Sequence, residues 1–210
     1  MSKMKLAIIG AGALGRQIAW QAECSDKFEI AGFFDDFAVG EPKVVGKTSA
    51  IRQFYSTGLF DVLAVGVGYK AMMFRQAIFA EYRNEIPFAD IVHERAVVDP
   101  SATTGGGCVM LPNAVLDQNV RLNGNCFMSI AVTISHDTQV GAGTYCSPRS
   151  TVCGNCRIGE RVFLGAGCII RDGIRICDDA VIGAGAVVVR DIDRPGVYVG
   201  NPARFLKELE

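Results

Sequence analysis

From Val98 onward the chain repeats an apolar position every six residues. That position holds Val98, Thr104, Met110, Leu116, Leu122, Met128, Ile134, Val140, Cys146, Val152, Ile158, Leu164, Ile170, Ile176, Ile182 and Val188, and only Thr104 and Cys146 fall outside Val, Ile, Leu and Met. One phase kept over roughly 90 residues marks a parallel β-helix with three short strands to each coil. Four residues after each aliphatic position the side chain is mostly small: Ala102, Cys108, Ala114, Cys126, Thr138, Thr144, Ser150, Cys156, Cys168, Ala180 and Ala186. A position that prefers small groups points into a narrow interior. Two residues after the aliphatic position stand Pro100, Pro112 and Pro148, which places this third position at a corner of the coil, because proline gives no N–H to a strand ladder.

The first ninety or so residues follow a different rhythm. Lys5 to Ile9 reads as a buried strand, Gly10 to Gly15 as a turn, Arg16 to Cys24 as a short helix and Phe28 to Phe34 as a second strand. Val62 to Val67 is another strand, followed by Gly68, Tyr69, Lys70 and a helix to about Arg83. Trp20 is expected in the core of the first helix, and the C-terminal "GNPARFLKELE" is expected to turn at Pro202 and end in a short helix. Strand, helix and strand with glycines at strand ends describe a small Rossmann-like α/β unit, so the chain divides into residues 1–92 and a β-helix with its tail at 93–210.

Composition changes this picture little. Half of the 210 residues are hydrophobic, and a net charge of -1 without runs of like charge leaves no footprint for nucleic acid or a membrane surface. The apolar run Leu6 to Ile9 is too short for a signal-peptide core, and no stretch approaches a membrane span, so the chain reads as soluble and cytoplasmic. Of eight cysteines, Cys108, Cys126, Cys146, Cys156 and Cys168 fall on interior positions of the repeat. Cys153 and Cys156 have the spacing of half a zinc site, but no second pair matches them, and no metal is expected.

Two motifs carry chemistry. In "GAGALG" the glycines Gly10, Gly12 and Gly15, with Asp35 and Asp36 about twenty residues on, have the spacing of a nucleotide-binding turn, where backbone N–H groups hold phosphate and the acid meets ribose. The unit has room for three or four strands, which suits a mononucleotide or nucleoside-diphosphate group better than a dinucleotide. Lys70 and Arg75 are candidates for phosphate, and Tyr69 either stacks on a base or sugar or caps the helix. In "ISHDTQVGAG" His136 stands at the corner position, followed by Asp137. Stacking at 18 residues places Gln118 one coil before His136 and Gly154 one coil after it, the glycine leaving room beside the imidazole for a ligand along the coil edge, so Gly154 is counted as a cofactor-binding position. A histidine titrating near neutrality with a carboxylate beside it suits a general base. His93 reads as a junction residue.

Together "IIGAGALG", "FFDD", "AVGVG", the hexads, "SHD" and "GVYVGNPAR" resemble the bacterial nucleotide-sugar N-acetyltransferases that acetylate 4-amino-4,6-dideoxy sugars, relatives of the sialic acid O-acetyltransferases. The resemblance spans the whole chain. It implies a left-handed β-helix, a homotrimer with active sites between protomers, acetyl-CoA as donor, and a role in surface-glycan (O-antigen) biosynthesis with a dTDP-linked sugar first and UDP or GDP as alternatives. It implies His136 as base and Asp137 as the acid behind it. Gly12, Ala13, Leu14, Asp35, Asp36, Gly66 and Tyr69 become nucleotide-sugar contacts, and Ala166 and Ala184 lend their main chain to CoA. Many relatives carry a second histidine where this chain has Tyr145, whose hydroxyl can still donate near the thioester. Some relatives have glutamate at the position of Asp137, which leaves the reach of the shorter arm open.

Three other readings compete. An O-acetyltransferase would use the same base on a hydroxyl. An NAD-binding oxidoreductase would use the glycine turn and leave the β-helix without a task. A non-catalytic trimeric scaffold would explain the hexads but not the meeting of a His-Asp corner with a nucleotide-type unit. A hexapeptide carbonic anhydrase needs three histidines around zinc, and the chain has two.

Overall fold

In the computed structural model, which describes residues 2–38 and 43–209, the chain divides into two compact units, Met1–His93 and Glu94–Glu210. The first unit is built on β1 (Met4–Ile9), α1 (Ala13–Cys24), β2 (Phe28–Phe34), β3 (Val44–Gly46), α2 (Ile51–Ser56), β4 (Val62–Val65) and α3 (Met72–Tyr82). Its strands pair in parallel in the order β3-β2-β1-β4, and Phe88 adds a bridge to Leu63 beyond β4. Alternation along β1 sends Ala7 and Ile9 into a cluster with Phe34, Leu63, Val65, Ile78 and Phe79, while Ile8 faces Gly15 of α1 and Gly66 after β4.

On α1 the buried positions are Gly15, Ile18, Ala19, Gln21 and Ala22. Trp20 is not among them: its side chain is 70% exposed, which corrects the expected core placement. The stripe Gly15, Ile18, Ala19, Ala22 follows the i, i+3, i+4, i+7 spacing, and residue 20 falls off it. Arg75, read as a candidate for phosphate, is fully buried within α3 and does not face an open cleft.

The second unit is a parallel β-helix. Its two-residue strands stack 18 residues apart, as in the pairing of Arg121 with Gln139 and of Leu122 with Val140. One face runs from Thr103–Thr104 through Arg121–Leu122, Gln139–Val140 and Arg157–Ile158 to Arg175–Ile176, and a second from Val97–Val98 to Val187–Val188. The third includes Val109–Met110, Phe127–Met128, Tyr145–Cys146, Phe163–Leu164 and Ala180–Ile182.

Met128, Ile134, Cys146, Val152, Leu164, Ile170 and Ile182 are all completely buried, as are Cys126, Thr138, Thr144, Ser150, Cys156 and Cys168 in the small position. A buried Leu or Ile is worth about 1.5–3 kcal/mol, so each coil repeats the same modest gain. The two buried threonine hydroxyls are satisfied by backbone: Thr138 Oγ1 donates to the Cys153 carbonyl at 3.0 Å and Thr144 Oγ1 to that of Gly159 at 2.9 Å. Burial raises the Cys146 thiol and pushes Cys168 up to about 12, so both act as small apolar side chains.

The C-terminal segment departs from the expected helix. Arg204–Lys207 is a strand, antiparallel to Gly196–Val199, with Phe205 edge-on to Tyr198 at 5.6 Å. Among the described residues no helix is long and apolar enough to cross a membrane.

Candidate active site

The corner positions of the β-helix need a backbone turn of left-handed sense once per strand, and Asn, Asp and Gly supply most of it: Asn113, Asn119, Asn125, Asp137, Asn155 and Asp179 all have φ between 57° and 62°. Asp137, at φ 58°, therefore suits its backbone as well as its neighbour. Its Oδ2 lies 3.0 Å from His136 Nδ1, so the shorter arm of aspartate does reach the imidazole. Its Oδ1 accepts a hydrogen bond from Asn119 Nδ2, also at 3.0 Å. The hydrogen bond from His136, then that from Asn119, hold the Asp137 carboxyl below the usual carboxylate range. With a carboxylate at Nδ1, the proton of the neutral ring belongs on Nδ1 and the lone pair on Nε2. Both side chains are half exposed, the histidine at 50% and the aspartate at 49%.

The coils above and below fix this pair. Asp137 N donates to the Gln118 carbonyl and Asn155 N to that of His136, each at 2.9 Å. Gly154 lies directly against the ring: a Cβ there would stand 2.6 Å from both Cε1 and Nε2 of His136. The space the glycine opens is thus taken by the imidazole itself rather than left vacant beside it. Asp172, one coil further, accepts from Gly154 N at 2.9 Å.

Ala166 and Ala184 occupy a different edge of the prism. They are exposed corner residues, stacked through Gly167 N to the Pro148 carbonyl (2.9 Å) and Gly185 N to that of Ala166 (2.8 Å). Tyr145 belongs to neither edge. It stands on the outward row of the third face, stacked on Phe127 at 4.5 Å and on Phe163 at 5.9 Å. Within one chain, then, His136, Asp137 and Gly154 come together, and Ala166, Ala184 and Tyr145 do not join them.

In the α/β unit the glycines divide by role. A Cβ on Gly15 would fall 1.9 Å from the Gly10 carbonyl oxygen, and one on Gly66 would fall 2.5 Å from Gly15 Cα, so these positions bring β1, α1 and β4 into backbone contact. Gly66 is buried by this packing. Gly12 has open space where its side chain would be and caps α1 without a side-chain hydrogen bond. The first amides of α1, at Ala13 and Leu14, thus form the positive end of a helix.

Asp35 and Asp36 serve backbone and hydroxyl donors of their own unit. Asp35 accepts from Ala11 N (2.8 Å), Phe37 N (2.9 Å) and Ala38 N (3.0 Å). Burial raises its carboxyl, and these three donors outweigh burial and leave it below its ordinary value. Asp36 accepts from Thr48 N at 2.9 Å and Thr48 Oγ1 at 2.8 Å.

On one side of Asp35 and Phe37 lies a mainly apolar cleft of about 370 Å³ lined by Ile9, Gly10, Phe34, Asp36, Thr48, Val67, Ala71 and Phe74. On the other is a cleft of about 690 Å³ with Ala11, Gly12, Arg16, Phe33 and Ala38. Tyr69 and Lys70 are exposed in the 3-10 turn Tyr69–Ala71 that leads to the rim of the first. Arg16, Phe37, Thr48 and Phe74 carry no motif signal. Asn119 carries a faint one, as an αL-prone residue 18 before Asp137.

Residues 5–82 match the family described as the PglD N-terminal domain, and residues 155–190 match the bacterial transferase hexapeptide (six repeats). The acetyltransferase domain of PglB from Neisseria gonorrhoeae is 32% identical, with a TM-score of 0.89 over 97% of this chain and 100% of that one. The chain belongs to the bacterial nucleotide-sugar N-acetyltransferases. The same domain of PglB in complex with acetyl coenzyme A matches this N-acetyltransferase at 31% identity and TM-score 0.89, over 98% of this chain and 100% of that one. PerB from Caulobacter crescentus, in complex with CoA and GDP-perosamine, matches at 26% identity and TM-score 0.88, over 96% and 97%. No curated protein sequence matches the chain.

Proposed function

We propose that this N-acetyltransferase moves the acetyl group of acetyl-CoA to the 4-amino group of a nucleotide-linked 4-amino-4,6-dideoxy sugar. The amine nitrogen attacks the thioester carbonyl, the C–S bond breaks, and CoA leaves as the thiol. His136 Nε2 takes the proton from the attacking amine and returns it to the leaving sulfur, while Asp137 steadies the imidazolium through Nδ1. The observation that carries this reading is the Asp137–His136 contact of 3.0 Å, with Nε2 turned away from its carboxylate.

The α/β unit is assigned the nucleotide. The open backbone at Gly12, Ala13 and Leu14 and the neighbouring Arg16 suit phosphate, and the apolar cleft suits a flat base. Asp35 and Asp36 shape these clefts through their own hydrogen bonds. Tyr69 and Lys70 at the rim are assigned to sugar and phosphate, and Gly66 acts by close packing. For the nucleotide itself dTDP is the first candidate. GDP stands beside it because the Caulobacter crescentus relative holds GDP-perosamine, and UDP follows.

Ala166 and Ala184 are assigned to the main-chain binding of CoA, with Tyr145 as a further contact. Because these residues lie off the His136 edge, the reading takes the assembly to be a homotrimer in which neighbouring copies complete each site. We place the enzyme in the cytoplasm, supplying an acetamido sugar to surface-glycan (O-antigen) assembly.

CoA release measured with dTDP-, UDP- and GDP-linked 4-amino-4,6-dideoxy sugars, for the native enzyme and His136→Asn, tests the proposal. Turnover with one sugar nucleotide, falling about 10²- to 10⁴-fold in a folded variant, is the expected result. No turnover with any of the three, or undiminished turnover in the variant, overturns the substrate class or the base respectively.

A further inference from the structure

Behind the His136–Asp137 pair runs a string of hydrogen bonds that climbs two coils along the same edge. Asn119 Nδ2 donates to Asp137 Oδ1 at 3.0 Å, the oxygen that His136 does not use. Asn119 is itself held, its backbone N–H donating to Ser101 Oγ at 2.9 Å. Ser101 in turn donates through Oγ to Asp99 Oδ1 at 2.6 Å and through its N–H to the same oxygen at 2.9 Å. Ser101, Asn119 and Asp137 are successive members of one corner column, and the last two share the left-handed backbone, with φ of 57° and 58°. That backbone orients the two side chains alike, so the amide of one coil meets the carboxylate of the next.

We infer that Asn119 is a positioning residue for the acetyl transfer: its amide holds Asp137 in the rotamer that presents Oδ2 to His136 Nδ1, with Ser101 and Asp99 anchoring it from behind. The inference rests on the base role assigned to His136. An exposed carboxylate on its own samples several rotamers, and only one of them keeps the imidazole on Gly154 with its proton on Nδ1. A donor fixed at Oδ1 removes that freedom. An amide suits the task because it supplies an N–H without adding charge, whereas a second carboxylate at this point would repel the first.

Two substitutions keep the αL backbone and separate these effects. Asn119→Gly removes the donor at a position glycine adopts without strain, and Asn119→Asp keeps size and backbone preference but exchanges the donor for a charge. The other titratable groups along the edge are Asp99, Asp117, Cys153 and Asp172, and they are the same in both variants. The titration of His136, followed by NMR of its ring, needs no substrate. We expect its midpoint to rise in Asn119→Asp, because a second negative charge favours the imidazolium, and to fall in Asn119→Gly, because Asp137 is released from the ring.

With the sugar nucleotide that the native enzyme turns over, kcat should fall roughly tenfold in Asn119→Gly and further in Asn119→Asp, with KM little changed, and the acidic limb of the rate profile should move as the NMR midpoint does. Unchanged midpoints in both variants, with native-like melting, would overturn the positioning role. Shifted midpoints in a protein that acetylates none of the sugars would keep the string and remove the reaction assigned to it.

Discussion

Asp35 in the α/β unit and Asp137 on the β-helix are both carboxylates held below their ordinary range, yet they do different work. Three backbone N–H groups surround Asp35, which pins the glycine turn to the segment after β2. Two side chains surround Asp137, and one of them is an imidazole with a free second nitrogen. A carboxylate whose donors are main chain shapes a cleft. On the proposed reading, a carboxylate whose donor is the general base tunes chemistry. The direction of the shift is shared, and the partners decide the role.

The glycines repeat the lesson. Gly15 is obligatory for backbone meeting backbone, and Gly154 for a ring meeting backbone. Gly15→Val should therefore have the largest effect on stability, upward of about 3 kcal/mol, because the neighbour is a carbonyl oxygen that cannot step aside. A lost or collapsed thermal transition of the α/β unit checks it, and a native-like melt would contradict the packing.

Gly154→Ala should leave melting nearly intact and lower kcat/KM about a hundredfold, since the new Cβ pushes the imidazole off its seat by a fraction of an ångström or more. If activity and stability fell together, the two glycines would not differ in kind.

Asp35→Asn comes next, with a loss of about 1–3 kcal/mol from an unmatched N–H at the glycine turn. Since folding lowers the Asp35 carboxyl, its contribution is complete above the unfolded value near pH 4 and fades as the pH falls through the lower folded one. Asn at this position should flatten that acid limb in a series of pH melts, while leaving the neutral-pH rate profile in shape. The smallest effect belongs to Trp20→Gln, within about 0.5 kcal/mol, because the side chain covers no core. As the sole tryptophan, Trp20 should also show the easy acrylamide quenching of an exposed indole.

The β-helix was legible because an 18-residue coil forces one inward aliphatic and one inward small position onto every strand, and Met128, Cys126, Ile134 and Thr138 obey it. The His-Asp corner was legible for the same reason, since Pro100, Pro112 and Pro148 mark where corners fall. Trp20 was misplaced by its hydrophobicity alone, although the spacing of Ile18, Ala19 and Ala22 excludes it. The C-terminal "RFLKELE" has helix-forming composition, and pairing with Gly196–Val199 overrides it. Asn119 was out of reach because its meaning needs the stacking register and the αL rotamer at once. Thr48 needed the fold to bring it 12 residues back to Asp36.

The most direct test is the tautomer of His136, read from long-range ¹⁵N–¹H NMR of the neutral ring, with His93→Gln to assign its signals. The account predicts the proton on Nδ1, facing Asp137, and a bare Nε2. A neutral ring protonated on Nε2 would leave no lone pair for the amine's proton and would contradict the assignment of His136 as the base.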